Sequence, residues 1–305
     1  MPGSAESAAR GSNGRIQRRH GGLETLILLA PATLLFALFV VYPIVASIRL
    51  SLFDWDGAGP QRFVGLANYR ELLGDPVFAK ALANNARWLM CYLVAPVGGF
   101  FLALFLQQRV FGMRAVRALF FMPFVISQVV VGLVFGWFFH PRIGLFGRLL
   151  EAVGLPAVSL LDSEGWSIYT RIAAGLWPQI AYCMILSMTG LATMPPDTID
   201  SARVDGAGNW AMLRHVVLPQ LRPVHFLVAM VCAVSALRSF DYVMIMTLGG
   251  PFNSSSVLAY YMYEQTFLSL RYGYGAAIAT VLLLLMSGII VALLVRMFRD
   301  ERRER

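Results

Sequence analysis

The chain has 305 residues, 58% of them apolar and only 14% charged, with a formal net charge of +8 and a mean hydropathy of +0.65. Soluble domains run at about 45–50% apolar and about 25% charged residues, so this composition excludes a soluble globular domain and defines a polytopic membrane protein. The basic residues gather at the ends of apolar runs, where they set orientation, and this placement argues against nucleic-acid binding.

Residues 1–22 are rich in Gly, Ser, Ala and Arg, lack periodicity, and read as a disordered tail. Thr25 to Ile48 is the first charge-free window. It is longer than the ~7–15-residue apolar core of a signal peptide, so it reads as a retained helix. Further windows run from Trp88 to Gln108, Ala118 to Pro141, Ile172 to Pro196 and Tyr272 to Val295. At ~1.5 Å rise per residue each crosses a ~30 Å hydrocarbon core. A sixth span, Val224 to Met246, carries Arg238 and Asp241 three residues apart, a spacing that allows the two charges to neutralise each other.

Six spans put both termini on one side. The tail (Arg10, Arg15, Arg18, Arg19), the second connection (Arg109, Arg114, Arg117), the fourth (Arg203, Arg214, Arg222) and the C-terminal end (Arg296, Arg299, Arg302, Arg303, Arg305) hold most of the positive charge and read as cytoplasmic. Cys91, Cys183 and Cys232 all fall inside apolar runs and read as small buried hydrophobes, without the spacing of a metal site. The one lysine, Lys80, stands in Phe78-Ala79-Lys80-Ala81, so the chain has no phosphate-binding P-loop.

A polar island separates the fourth and fifth windows. Pro195-Pro196 closes the fourth, Asp197 is placed to cap a new short helix, and Asp205-Gly206 breaks that helix where a positive φ is cheap. Ile199 and Ala202 share one face, and Trp210, Leu213 and Val217 form an apolar stripe on the next helix, which Leu218-Pro219 and Pro223 are expected to end.

Asp200-Ser201-Ala202, then Asp205-Gly206-Ala207, then Leu218-Pro219 resembles the cytoplasmic signature of permease subunits of binding-protein-dependent ABC importers, with Asp-Ser-Ala in place of that family's Glu-Ala-Ala. Leu50 to Trp55, Phe63 to Tyr69 with Asp75-Pro76, and Phe240-Asp241 with Thr247 to Pro251 and Gly273-Tyr274 are similar to the carbohydrate branch, specifically the maltose-type first permease subunit. The resemblance implies an all-α type I ABC importer permease fold in a bacterial inner membrane, without covalent chemistry of its own. Its expected divisions are a tail (1–22), a first helix with an outer segment (23–84), a five-helix core (85–296) with a coupling helix at about 197–218, and a basic tail (297–305). It further implies a second permease subunit, two ATPase subunits that bind the ATP-Mg, an extracytoplasmic solute-binding protein and a sugar substrate. Asp200, Ser201, Ala202, Asp205, Gly206, Ala207, Leu218 and Pro219 then dock an ATPase.

Polar side chains inside spans are the candidates for a substrate pathway: Gln128, Gln179, Tyr182, Arg238 and Asp241. A charge at bilayer depth costs roughly 2.5–3.5 kcal/mol, so Arg238 faces protein or water. The bland roles are helix glue for the amides and an ion pair for Arg238 with Asp241. Tyr260, Tyr261 and Tyr263 read as an interface belt, and Gly132 with Gly136 as a chance small-residue pair. A secondary transporter or channel is the alternative, and it needs ion-coupling carboxylates, of which only Asp241 lies within a span. A membrane enzyme is disfavoured, because His140, His215 and His225 stand at span ends without an acidic or cysteine constellation.

Overall fold

The computed structural model describes residues 28–304 except Arg109, Pro141, Ala157 and Val158. The 1–22 tail, Arg109 and Arg305 lie outside the described residues. Five helical segments are long and apolar enough to cross a membrane. They are α1 (Leu28–Leu50), α3 (Pro76–Leu106), α7 (Ser167–Ala192), Arg222–Met246 and the apolar part, Tyr272–Asp300, of the last helix. A short α2 (Ala67–Gly74) precedes α3, and Phe53–Asp54 pairs antiparallel with Arg62–Phe63 in a small hairpin.

The uncharged window from Ala118 to Pro141 is not one helix. It forms α4 (Met113–Val125) and α5 (Gln128–Phe138), bent by 96°. Pro123 withdraws one amide from the α4 ladder, and Ile126 turns extended at φ −74°, ψ 135°. The sixth window, which carries Arg238 and Asp241, is helical but interrupted too: α10 (Arg222–Leu237) stops, and α11 (Phe240–Met246) restarts after two residues. Between them lie α6 (Leu145–Ala152) and the polar island, α8 (Pro196–Val204) and α9 (209–220). The chain ends with α12 (258–268) and α13 (Tyr272–Glu304).

The two halves of the bent pair attach to different neighbours. Met113, Val116 and Phe120 of α4 pack on the cluster of Phe100, Met184, Met212, Val217 and Leu221. Val131 of α5 belongs instead to a cluster with Trp88, Ile172, Tyr242 and Val243. Gly132 and Gly136 mark where α5 crosses α11: a Cβ on Gly132 would lie 3.3 Å from Ile245, so the pair is a real crossing point. Closer still, a Cβ on Gly99 of α3 would stand 2.5 Å from that of Cys183 on α7, and only glycine permits this approach. In contrast, α1 has no residue of its apolar window buried.

Buried polar groups tie the connections between spans to the bundle. Asn84 donates to the carbonyls of Ser254 and Ser256 at 2.8 Å each, which satisfies a loop that would otherwise carry unpaired backbone inside the protein. Tyr260 and Tyr261 are 3% and 5% exposed, so the expected tyrosine belt is largely core. The Tyr261 hydroxyl donates to Asp75, as does that of Tyr274 at 2.6 Å. Burial pushes the Asp75 carboxyl up, but the two phenols and the Val77 and Phe78 amides outweigh it and hold it below the usual carboxylate range.

Asp75→Asn should therefore lower stability by about 1–2 kcal/mol at neutral pH. A carboxylate whose folded pKa is depressed stabilises above its unfolded value of about 3.9, and the benefit is lost as pH falls through the folded value. Thermal unfolding in detergent should show a wild-type advantage that is constant from pH 8 to pH 5 and gone in strong acid. An equal gap at every pH would contradict it.

Candidate functional site

All five candidate pathway residues border one cavity of about 320 Å³. Its wall also includes Tyr92, Phe124, Ile126, Ser235, Ser239 and Tyr242. Both helix interruptions open onto it, at Ile126–Ser127 and at Arg238–Ser239. Irregular backbone at membrane depth is tolerated where it is buried in protein or lines a water-filled space, which accounts for the breaks falling here.

Each candidate is held by its own element. Gln128 opens α5 just after the bend and is exposed. Tyr182 stacks on Phe124 across the bend, ring centroids 5.0 Å apart and 4° from parallel. Gln179 is 8% exposed, with its amide nitrogen 3.3 Å from the Cys232 sulfur and 3.9 Å from that of Cys183. The two sulfurs are 3.3 Å apart on adjacent helices, a proximity the sequence spacing conceals.

Arg238 and Asp241 do not form the expected ion pair: among the described residues no salt bridge joins them. The helix break separates them. Arg238 is the C-terminal cap of α10 and Asp241 lies in the first turn of α11. Each therefore sits at the helix end whose dipole favours its sign. The cavity wall thus offers a guanidinium, a carboxylate, two amides and several hydroxyls. That set can donate to and accept from a polyhydroxylated ligand.

Arg171 stands one residue before the charge-free window that begins at Ile172, yet it is fully buried. It donates to the Ser167 carbonyl, to the Thr247 hydroxyl and, at 3.2 Å, to the Gly250 carbonyl. It pins the 247–256 turn to the start of α7.

The polar island forms a knuckle of two short helices. Gly206 has φ +81° and its amide bonds the Arg203 carbonyl, while the Ala207 amide bonds that of Ala202 at 3.0 Å, closing α8. Asp197 lies within the first turn, and Pro195 takes the cap position expected of it, because Pro196 at the first helical position sets the start. Ser201 donates to the Asp197 carbonyl at 2.7 Å, and Asp200 stands 3.9 Å from Arg203 on the surface.

The inner face packs through Ile199, Ala202, Met212, Leu213 and Val217 onto α3, α4 and α7. Trp210, expected within that stripe, is instead 68% exposed, and Val204 is 87% exposed. Asp205, Gly206 and Trp210 make the protruding tip. Leu218-Pro219 does not end the helix: a widened turn, Leu213–Val217, absorbs the missing proline amide, and the chain stays helical to Gln220. Leu218 and Pro219 support the base of the knuckle and are half-buried.

A helical bundle with an apolar exterior, a polar cavity at two broken helices and a projecting two-helix knuckle is a membrane transport subunit. Residues 95–304 match the family of binding-protein-dependent transport system inner membrane components, and the chain belongs to that family. It is 34% identical over 94% of its length to the whole of a probable ABC transporter permease protein of Pyrococcus horikoshii. It is 30% identical, over 92% of its length and 91% of the relative's, to the sulfoquinovosyl glycerol transport system permease protein of Agrobacterium fabrum. The fold is that of a bacterial ABC transporter involved in the import of the acidic polysaccharide alginate: TM-score 0.80, 20% identity, 92% of this chain and 99% of that one.

Proposed function

We propose that this chain forms one half of the transmembrane pathway of an ATP-driven, binding-protein-dependent importer of a sugar or sugar derivative. The cavity at the two helix breaks carries this reading, because it gathers Gln128, Gln179, Tyr182, Arg238 and Asp241 around one space. A second permease subunit supplies the opposite wall, and an extracytoplasmic solute-binding protein delivers the substrate. The relatives that handle a sulfoquinovosyl glycerol and alginate support carbohydrate chemistry. Both termini and the knuckle face the cytoplasm. There Asp200, Ser201, Ala202, Asp205, Gly206 and Ala207 engage one of two ATPase subunits, with Leu218 and Pro219 bracing them. ATP-Mg is bound by those ATPases and none by this chain.

The test is reconstitution of the complex in proteoliposomes. ATP hydrolysis stimulated by sugar-loaded binding protein, with matching uptake, is the expected result. Uptake by this chain alone under an ion gradient, without nucleotide, would overturn the reading in favour of a secondary transporter.

A further inference from the structure

A second cavity, about 640 Å³, opens beside the crossing of α5 and α11. Gln128, Gly132 and Gly136 repeat every four residues along one face of α5, and Asp241 and Ile245 do the same on α11. Gln128 and Asp241 border the first cavity, whereas Gly132, Gly136 and Ile245 border this one. The two spaces therefore follow one another along the same pair of helices, with near edges on α5 about 6 Å apart at ~1.5 Å per residue. Asp162, in the segment leading into α7, and Thr247, just after α11, mark the far end of the groove, away from the knuckle that follows α7.

One aromatic side chain of this region is left without a neighbour. Phe135, Phe138 and Phe139 pack ring against ring, and the contact extends to Phe146. Trp137 stands apart from them: it lines the groove, is 55% exposed and meets no aromatic ring among the described residues. Three polar side chains share the groove with it. His140 Nδ1 accepts from the amides of Arg142 and Ile143 at 3.3 and 3.4 Å, which assigns the ring hydrogen to Nε2. Ser159 donates to one carboxylate oxygen of Asp162 at 2.7 Å and leaves the other without a partner among the described residues. The Arg142 guanidinium makes no ion pair or hydrogen bond among them either, although Asp162 lines the same groove.

We propose that this groove is a second saccharide subsite in series with the first cavity: a pyranose ring lies on the Trp137 indole, and its hydroxyls meet His140 Nε2–H, Arg142 and Asp162. The inference rests on the sugar-pathway reading and narrows it to substrates of two or more linked sugar units. An indole offers a flat apolar face with a polar edge, which suits a ring that carries C–H groups on its faces and hydroxyls around its rim. A few placed donors and acceptors beside such a face fix a ligand's orientation. A tryptophan of an interfacial belt borders hydrocarbon on its apolar side. Trp137 instead shares its groove with a carboxylate, a guanidinium and an imidazole. Gly132 and Gly136 leave the α5 wall between the two subsites bare of side chains.

The complete transporter is reconstituted in nanodiscs without binding protein or nucleotide, and saccharide binding is followed by isothermal titration calorimetry. Two series serve as probes: glucose, maltose and maltotriose, and alginate fragments of one, two and three uronic acid units. In at least one series Kd should fall at least about tenfold from one unit to three. Trp137→Ala should erase that gain while leaving single-unit binding within about twofold, and Trp137→Phe, which keeps a ring, should retain most of it. Single units bound with no gain from added units, or a gain that survives Trp137→Ala, would overturn this inference and leave the pathway reading standing. Absence of binding by every member of both series would sink the two together. Capture of another subunit or of the binding protein by a photocrosslinker at Leu133, undiminished by saturating trisaccharide, would show that protein fills the groove and would also overturn the proposal.

Discussion

Gly206→Trp should abolish coupling: uptake falls at least about 100-fold, and loaded binding protein no longer stimulates ATP hydrolysis, while the permease remains in the membrane at normal abundance. Gly206 has φ +81° and open space where a Cβ would stand. Any side chain there therefore carries only backbone strain, about 1–2 kcal/mol, in an exposed turn outside the packed bundle. An indole at this point projects from the protruding face that also carries Asp205 and Trp210. Obstructing the centre of a docking surface costs several kcal/mol, because central contacts carry most of the binding energy and their neighbours mainly exclude water. Gly206→Ala bears the same strain without the bulk and should retain most transport. Paired uptake and ATPase assays, with copurification of the ATPase, separate these outcomes; unimpaired coupling in the tryptophan variant would remove the knuckle from the docking surface.

Arg238→Ala combined with Asp241→Ala should lower uptake at least about tenfold without reducing membrane insertion or thermal stability appreciably. A hydrogen bond to a charged group is worth about 1.5–3 kcal/mol, and the two side chains face a shared cavity. Because they make no ion pair with each other, their removal breaks no buried salt bridge, and the helix-end dipole terms that are lost amount to about 0.3–1 kcal/mol each. A structural pair would show the reverse, with a large fall in unfolding temperature and transport reduced only in proportion to surviving protein. Wild-type uptake by the double variant would dismiss the pathway role of both residues.

Element count and polar patterning were legible in the sequence because charge-free runs long enough to span hydrocarbon are a composition signal, and the bundle follows them closely. The breaks were not. The window from Ala118 to Pro141 holds no charge, and a single proline three residues before Ile126 does not announce a 96° bend, which depends on α5 finding α11 through Gly132. The window marked by Arg238 and Asp241 looked weakest for the reason that makes it informative: those charges sit at two helix ends that only the folded chain creates. The burial of Arg171 and of the tyrosines of α12 is hidden in the sequence for a similar reason. Position in sequence gives their distance from a span, whereas burial is decided by loops folding back onto the bundle, as the Asn84 contacts to Ser254 and Ser256 do. In the polar island the turn at Gly206 followed directly from local backbone preference. The outward swing of Trp210 needed knowledge of how much inner surface Met212 and Val217 already fill.

The divided attachments of the bent pair carry a mechanical implication. Since α4 is seated with the knuckle and α5 with α11, displacement of the knuckle would drag one arm of the elbow while the other stays moored. Phe124 belongs to the first arm and Gln128 to the second. A push on the knuckle would then register first as slippage between those two side chains, so the cavity they both line sits on the fault line where two semi-rigid blocks shear.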